Sequence, residues 1–375
     1  MRIGFAIYGH LDQVSGGFAY DRSLIRELVA LGHQVDVLSQ PWLSYGRALA
    51  SNLTPAPAVA ARGSTCDVLV EDELIHPSLL RGGRFWRTDR SGRPRPRVAL
   101  IHNLKSQQPG ELLAWLKVAV ERRYLRGVDG AIAVCGDTLA GVRELLGNPT
   151  TVSKPRRLPL PLPLPFPTLV AYPGRDDLQP RDAVRGSTDG PLRLLYVAAV
   201  VRHKGLHRLF EALARAPALS FQLDVVGNLN HQPGYVRALK KRALAAGISS
   251  RIRWHGEQQG EALWNLYREN QLFALPSDRE AYSLACLEAQ AFGLPVLATS
   301  RGGLAEMFPD ATAGLLLAPD EPLAWAAALV DLAEDRGRLA RMAAAAWANH
   351  RRHQTWRQVA IAVQRFLLET VARSR

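Results

Sequence analysis

Two glutamates with seven residues between them, Glu280 and Glu288, stand in a segment whose pattern favours ligand chemistry. The apolar run 272–275 predicts a buried strand, a polar turn carries Glu280, and the apolar spacing that follows predicts a helix carrying Glu288. Where a parallel strand runs into a helix N-terminus, free N–H groups and the helix dipole point at an anion. The segment therefore predicts a site for an anionic ligand whose hydroxyl groups the two carboxylates could hold.

The surroundings of each glutamate suggest a separate role. Glu288 is predicted to lie near an apolar helix face, where a carboxylate is costly unless it is hydrogen-bonded. The two hydroxyls of a ribose could donate to its two oxygens, and the alternative is a buried glutamate satisfied by the backbone or by an arginine. Glu280 precedes the helix, so its alternative role is a capping carboxylate. The backbone N–H groups expected to face a diphosphate are those of Tyr282, Ser283 and Leu284.

Two further motifs follow the first strands of the two halves of the chain. Lys204 comes after the apolar run Leu192–Val197 and before an amphipathic helix. Its ammonium could stabilise charge that develops on a leaving phosphate, with Arg202 as a second cation, and the alternative is an ordinary surface lysine. Gly16 and Gly17 would allow close backbone approach to a ligand, or would simply form a tight turn. Their spacing does not fit the GxGxxG dinucleotide pattern.

A histidine and an acidic patch complete the candidates. His102 ends the apolar run 98–101, and it could hydrogen-bond a reacting sugar or an acceptor, or serve as a strand-end histidine of the core. An acidic patch that could contact an acceptor follows the third predicted strand and consists of Glu71, Asp72, Glu73 and His76. The spacing of these residues does not indicate a metal site, and we predict none.

The organisation of the chain places these residues in two domains. Strand and helix patterns alternate, which predicts parallel sheets built from βαβ units, and 375 residues are enough for two domains. Between residues 158 and 165 every second residue is proline, which predicts an extended connection. We expect a Rossmann-like domain over 1–155, a linker over 156–190, a second Rossmann-like domain over 191–352 and a C-terminal helix over 353–375.

These motifs, in this order, resemble those of the retaining glycosyltransferases of family GT4. The resemblance implies an α/β fold class of two Rossmann-like domains, the GT-B architecture, facing an inter-domain cleft that holds the nucleotide, with a last helix that returns to the first domain. It also implies that Glu280 contacts the transferred sugar, Glu288 the ribose and Lys204 the phosphates. Gly16–Gly17 would form the N-terminal glycine loop, and His102 would be the active-site histidine.

The reaction implied by the resemblance is the transfer of a sugar from a nucleoside diphosphate donor to a hydroxyl acceptor, with retention of configuration and without a metal or cofactor. The acceptor could be lipid-linked, a polysaccharide or a small metabolite. A phosphate oxygen of the leaving group would take the acceptor proton. The chain departs from the family pattern at Ala199, where many relatives carry arginine, and at Ala281 and Ser283, which replace glycines. Two alternatives remain: an inverting transferase with His102 as base, and a non-catalytic nucleotide-sugar-binding or scaffold protein on the same fold.

The charge balance indicates an anionic partner. The net charge is +13, and seven arginines fall between positions 81 and 97 with a single acidic residue among them. This cluster predicts either contact with an anionic membrane or a solvated loop. Nucleic acid is not expected, because few aromatic residues are interleaved and no binding module is recognised.

The remaining composition bears on where the protein resides. The N-terminal segment reaches Asp12 too early for a signal peptide, and no uninterrupted apolar run is long enough to span a bilayer. Three widely spaced cysteines, Cys66, Cys135 and Cys286, offer no disulfide framework. We therefore expect a cytoplasmic protein, with a peripheral position at the inner face of the membrane if the arginine cluster binds lipid.

Overall fold

The computed structural model describes residues 1–53, 66–80, 95–107, 113–147, 164–176, 190–308 and 312–374. Contacts divide the chain into two compact units, one formed by Met1–Gly174 with Gln354–Arg375 and the other by Arg175–His353. In its described part each unit holds a six-stranded parallel sheet flanked by helices. The predicted α/β class with two Rossmann-like domains is therefore confirmed. Of the predicted linker, only residues 164–176 and 190 lie within the described ranges.

The strands are numbered in chain order. They are β1 Arg2–Tyr8, β2 Gln34–Gln40, β3 Val68–Asp72, β4 Arg97–Ile101, β5 Gly130–Ala133, β6 Thr168–Val170, β7 Leu192–Val197, β8 Phe221–Val226, β9 Ile252–Gly256, β10 Leu272–Leu275, β11 Val296–Thr299 and β12 Gly314–Leu317. The first sheet has the order β2-β1-β3-β4-β5-β6, and the second has the order β12-β11-β10-β7-β8-β9. All the paired strands run parallel, and their apolar runs are buried because helices cover both faces of such sheets.

The helices are numbered in the same way. They are α1 Gly16–Ala30, α2 Tyr45–Ala50, α3 Ala114–Leu125, α4 Gly136–Gly147, α5 Leu206–Ala214, α6 Pro233–Ala245, α7 Gly260–Glu269, α8 Leu284–Ala291, α9 Pro322–Glu334, α10 Arg336–Arg352 and α11 Trp356–Ser374. Short 3-10 turns at Glu73–Ser78, Arg202–Lys204 and Gly303–Met307 follow β3, β7 and β11. None of the described helices is long and apolar enough to cross a membrane.

Helix α11 belongs to the first unit and packs against α1. The buried Tyr20 of α1 links three parts of this unit, since its hydroxyl donates to the carbonyl of Ala171 at 2.9 Å. Its ring also meets Trp356 of α11 edge-on, with 5.1 Å between ring centroids. These contacts fix the position of α1, whose first two turns carry residues of the candidate site.

The structure corrects several expectations. Strand β6 lies inside the predicted linker, and β12 was not predicted. Gly16 and Gly17 do not precede α1 but form its first turn, because Ser15 caps the helix by accepting a hydrogen bond from the N–H of Phe18 at 3.3 Å.

The arginine cluster is also corrected in part. Arg95 and Arg97 are buried, and the guanidinium of Arg97 donates twice to the buried carboxylate of Glu71, at 2.7 and 2.9 Å. These two arginines therefore cannot contact a membrane surface. The other five, at positions 81, 84, 87, 90 and 93, lie outside the described residues.

Candidate active site

The second sheet brings Lys204 and Glu280 together at its topological switch point. From β7 the chain continues to β8 and β9 on one side and then crosses back to β10 on the other side of β7, and ligands bind at the carboxyl ends of the strands at such a switch point. Lys204 follows β7 and Glu280 follows β10. The Nζ atom of Lys204 lies 2.6 Å from Oε1 of Glu280. The two residues that the sequence assigned to phosphate and sugar are therefore direct neighbours.

The turn that carries Lys204 is held against the loop after β10 by backbone contacts. The carbonyl of His203 accepts a hydrogen bond from the N–H of Asp278 at 2.8 Å. Gly205 has a φ of +73°, and a Cβ atom there would lie 1.9 Å from the carbonyl oxygen of Pro276. Only glycine fits this close approach and this backbone conformation. Glycine is therefore required at position 205, and this packing fixes the backbone of the turn from which the Lys204 side chain extends.

Glu280 is held at both its side chain and its backbone. The hydroxyl of Ser277 donates to Oε1 of Glu280 at 2.5 Å. The N–H of Glu280 donates to the carbonyl of Arg301 at 3.1 Å, and its own carbonyl accepts from the N–H of Gly303 at 2.8 Å. Between these two contacts lies Gly302, with a φ of +102°, where a Cβ atom would lie 2.0 Å from the Glu280 carbonyl oxygen. The loop after β11 thus fixes the glutamate.

Helix α8 is capped by Ser283 and not by Glu280. The hydroxyl oxygen of Ser283 accepts a hydrogen bond from the N–H of Cys286 at 3.2 Å. The capping alternative for Glu280 is therefore wrong. Tyr282, Ser283 and Leu284 lie at the beginning of this helix, as expected, and the hydroxyl of Tyr282 lies 3.3 Å from Nδ1 of His353.

Glu288 lies on α8 two turns after Glu280 and is partly buried. The hydroxyl of Tyr267, from α7, donates to Oε2 of Glu288 at 3.0 Å. Burial raises the pKa of Glu288 to about 7, although this hydrogen bond acts in the opposite direction. The buried Tyr267 ring is stacked on Phe292 with 5.3 Å between centroids. Tyr267 was missed from the sequence, where it appeared only as an apolar position of α7.

Arg202 lies in the same 3-10 turn as Lys204, and its side chain is exposed. Its backbone N–H donates to Oε1 of Gln232 at 2.9 Å. The carbonyl of Ala199, where many GT4 members carry arginine, lies 3.5 Å from the hydroxyl of Tyr196. The structure therefore places Arg202 in the same turn as Lys204, and its role as a second phosphate cation stays a prediction.

The first sheet has its own switch point, between β1 and β3. Helix α1 follows β1, Asp72 and Glu73 lie at the end of β3, and His102 follows β4. A Cβ atom on Gly17 would lie 3.5 Å from the ring of His102, whereas one on Gly16 would have no neighbour within 4 Å. The structure thus brings Gly17 and His102 together and leaves the Gly16 backbone open to approach.

His102 is surrounded by carboxyl groups. Its Nε2 atom lies 3.1 Å from Oδ1 of Asp21 and 3.8 Å from Oδ2 of Asp72, and its backbone N–H donates to Glu73 at 2.8 Å. Burial raises the pKa of Asp21 to about 7 and the pKa values of Asp72 and Glu73 to about 8. Asp21 was missed from the sequence, although its position four residues after Gly17 places both on one helix face.

The rest of the acidic patch has structural contacts. Glu71 forms a buried ion pair with Arg97, which removes it as an acceptor-site group. His76 is buried with Nδ1 2.5 Å from the carbonyl of Glu73, and burial lowers its pKa to about 4.

One group among the described residues brings three potential ligand atoms within 4.8 Å of one another: Asp21, Asp72 and His102. Because the shortest contact in this group is a hydrogen bond between its own members, the arrangement does not by itself identify a metal site.

Comparison with known proteins supports the fold and the class. Residues 180–348 match the family described as glycosyl transferases group 1. A D-inositol 3-phosphate glycosyltransferase of Xylanimonas cellulosilytica is 37% identical over 175 residues, which are 47% of this chain and 41% of that protein. One from an Arthrobacter species is 30% identical over 234 residues, 59% of this chain and 52% of that protein. The chain thus spans about half the length of these curated relatives, or less.

Solved structures match over the whole length. Sucrose-phosphate synthase from Thermosynechococcus elongatus has a TM-score of 0.82 at 20% identity, covering 99% of each chain. HepE from Anabaena in complex with UDP has a TM-score of 0.73 at 18% identity, covering 98% of this chain and 100% of that one. At these identities the likeness shows the fold alone.

The fold therefore defines a protein of the two-domain GT-B architecture. Within that architecture, residues 180–348 are similar to the group 1 glycosyl transferases, in agreement with the GT4 resemblance of the sequence motifs.

Proposed function

We propose that the protein is a retaining glycosyltransferase that moves a sugar from a nucleoside diphosphate donor to a hydroxyl acceptor without a metal. The observation that carries this proposal is the contact between Lys204 and Glu280 at the switch point of the second sheet. A cation and a carboxylate held 2.6 Å apart by two loops present the two charges that a sugar diphosphate needs, one for the phosphate and one for the sugar hydroxyls.

In the proposed reaction the acceptor oxygen forms a bond to the anomeric carbon as the bond from that carbon to the diphosphate breaks. The electron pair of the broken bond goes to the phosphate oxygen, and the acceptor proton is transferred to the departing phosphate. Lys204 stabilises the charge that develops on the diphosphate, helped by the N-terminus of α8. Glu280, which Ser277 and the loop after β11 hold in place, accepts hydrogen bonds from hydroxyls of the sugar.

Glu288 is proposed to hold the ribose. Tyr267 already donates to one carboxylate oxygen, and the remaining acceptor positions suit two vicinal hydroxyls. Because burial raises the pKa of Glu288 to about 7, ribose binding would favour the ionised form and lower this pKa.

UDP is the first nucleotide to test, since HepE, which shares the fold, was solved with UDP. Inositol phosphate is a first acceptor to test, because relatives of part of the chain are named for it. Contact with an anionic membrane stays a prediction that now rests on arginines outside the described residues. Sedimentation with anionic and neutral vesicles checks it.

An inverting reaction is the second candidate, and one observation favours it. The contact between Asp21 and Nε2 of His102 at 3.1 Å is the arrangement by which a carboxylate orients a histidine base. NMR of the anomeric product proton distinguishes retention from inversion.

The first experiment is thermal unfolding with UDP, GDP and ADP. A ligand present at 100 times its dissociation constant adds about 2.7 kcal/mol to the free energy of unfolding. We expect one nucleotide to raise the midpoint, and Lys204→Ala and Glu288→Gln to reduce the shift. Lys241→Ala, an exposed lysine on α6, is the matched control and should keep it. Repeating the series with EDTA tests metal independence. If no nucleotide shifts the midpoint at millimolar concentration, the donor-site proposal is wrong.

Binding without turnover of any nucleotide sugar would instead support the non-catalytic alternative. Donor consumption in the presence of acceptor mixtures separates the two, and a variant series on Lys204 then links turnover to this site.

A further inference from the structure

Three carboxyl groups and one imidazole are packed together at the carboxyl end of the first sheet. Asp21 comes from α1, Asp72 and Glu73 from the end of β3, and His102 from the end of β4. Asp21 is completely buried and Asp72 is 2% exposed. Water therefore cannot solvate either carboxylate, and the group must be satisfied from within.

The hydrogen bonds leave one oxygen of this group without a donor. Oδ1 of Asp21 faces Nε2 of His102, and Oδ1 of Asp72 accepts the N–H of Leu74 at 2.7 Å. Oδ2 of Asp21 is buried and accepts no hydrogen bond from the N–H and O–H donors of the described residues. One carboxylate oxygen of Asp21 and one of Asp72 lie within 4.8 Å of each other and of a ring nitrogen of His102. Ionised carboxylates only accept hydrogen bonds, so a direct hydrogen bond between these two groups requires a proton on one of them.

We propose that Asp21 and Asp72 hold one proton between them and together fix Nε2 as the protonated nitrogen of His102. Nδ1 is then the nitrogen that can accept a hydrogen bond from a hydroxyl of the substrate. Asp21 and Asp72 are thus positioning residues that act through His102. The contact between Nδ1 and a substrate hydroxyl rests on the proposed transferase function, whereas the shared proton does not depend on it.

The surroundings support one shared proton. Two like charges with oxygen atoms within 4.8 Å of each other in a buried site oppose each other, so one of the pair is kept neutral. The raised pKa values of Asp21 and Asp72 agree with this arrangement. Among the described residues, the titratable and charged groups that interact with the pair include Tyr20 and Arg22 on α1, Glu73 after β3, His102 after β4 and Tyr124 on α3.

The arrangement has a consequence for stability. The folded protein binds the shared proton more tightly than the unfolded chain does, so the free energy of unfolding falls as the pH rises from about 4 through about 8. An asparagine at either position imitates a protonated carboxyl, since its carbonyl accepts and its amide donates. We therefore expect Asp21→Asn to keep the orientation of His102 and to remove this part of the pH dependence.

The direct test is NMR of the full chain labelled with 15N in histidine, where correlations to the ring protons report which nitrogen carries hydrogen. The His102 signal is assigned by its loss in His102→Gln. We expect the Nε2–H form in the wild type and in Asp21→Asn, and a different tautomer mixture in Asp21→Leu. If Asp21→Leu does not fold, the His102 tautomer measured in the wild type and in Asp21→Asn still tests the proposal. A wild-type His102 with its proton on Nδ1 overturns the proposal.

The second test is urea unfolding between pH 5 and pH 9. Asp21→Asn should lower the proton release linked to unfolding by up to one proton, whereas Asp320→Asn, on the exposed surface, should leave it close to that of the wild type. An unchanged dependence in Asp21→Asn contradicts the shared proton. A divalent metal that copurifies with the wild type and is lost in Asp21→Asn also overturns it, because a metal would then join the carboxylates. Neither test uses a nucleotide, so failure of the donor-site proposal is observed separately, by thermal unfolding with UDP.

Discussion

Replacement of Gly302 by alanine tests how the loop after β11 supports Glu280. A Cβ atom at this position would lie 2.0 Å from the Glu280 carbonyl oxygen and 3.1 Å from its nitrogen. Ordinary contacts of a Cβ atom begin near 3.4 Å, so the carbonyl must move by more than 1 Å. Its hydrogen bond from Gly303 must then lengthen or break. We expect the Glu280 side chain to leave its place beside Lys204.

The size of the effect follows from two contributions. The backbone of Gly302, with φ +102° and ψ −156°, lies in a region open essentially to glycine alone, which costs another residue about 1–3 kcal/mol. Overpacking against the carbonyl adds about 1–3 kcal/mol. Gly247 is the matched control, with a φ of +65° and no neighbour within 4 Å. Gly247→Ala should cost only about 1–2 kcal/mol, which is the left-handed backbone cost for a non-glycine residue.

The assay compares both variants by urea unfolding and by titration with UDP, the first nucleotide to test, and with a UDP-sugar as the proposed donor. Gly302→Ala should weaken binding of the UDP-sugar about tenfold or more, corresponding to 1.4 kcal/mol, because Glu280 no longer meets the sugar. Its effect on UDP alone should be smaller, and Gly247→Ala should bind both ligands as the wild type does.

The reasoning is refuted if Gly302→Ala unfolds at the same urea concentration as Gly247→Ala and binds the UDP-sugar equally well. In that case the Glu280 loop would not depend on the close approach between the two backbones.

Three other changes have defined outcomes. Lys204→Met should reduce turnover by about 100-fold or more, because one preorganised charge on the leaving group is lost, and a loss below threefold in steady-state kinetics would contradict its role. Nucleotide affinity should rise between pH 6 and pH 8 as Glu288 ionises, and the rise should be smaller in Glu288→Gln. Calorimetric titration measures both affinities. Parallel pH profiles of the wild type and the variant would exclude Glu288 as the ribose ligand. Arg97→Met should cost about 3–5 kcal/mol in urea unfolding by leaving Glu71 charged and buried. The double variant with Glu71→Leu should recover most of that loss, and a double variant less stable than Arg97→Met would show that the charge of Glu71 is not the cause.

The long parallel strands and the helices between them could be predicted because their apolar periods are regular. Strands β7 and β10 begin and end where the sequence placed them. Strand β6 could not be predicted, because prolines surround Thr168–Val170 and its pairing with β5 comes from the sheet and not from local pattern. Strand β12 could not be predicted either, because it is only four residues long and its residues are mostly half-buried.

The site was predicted where a motif stays within one strand, turn and helix, as with Lys204 and with Glu280 and Glu288. It was missed where a residue acts across the sheet. Asp21 has the pattern of an ordinary helix position, and its meeting with Asp72 and His102 depends on the order of β1, β3 and β4. Likewise Arg97 appears as part of a charged run until its partner Glu71 on the neighbouring strand is known.

The return of α11 to the first unit has a consequence for synthesis on the ribosome. Residues 1–174 leave the ribosome early, yet the helix that covers α1 is made only after the second unit. Until Trp356 and Phe366 emerge, the Tyr20 ring and the backbone at Gly130 lack the side chains that pack on them. The apolar face of the nascent first unit therefore stays exposed while the whole second unit is translated. Chaperones that recognise exposed apolar faces can bind the first unit during that interval.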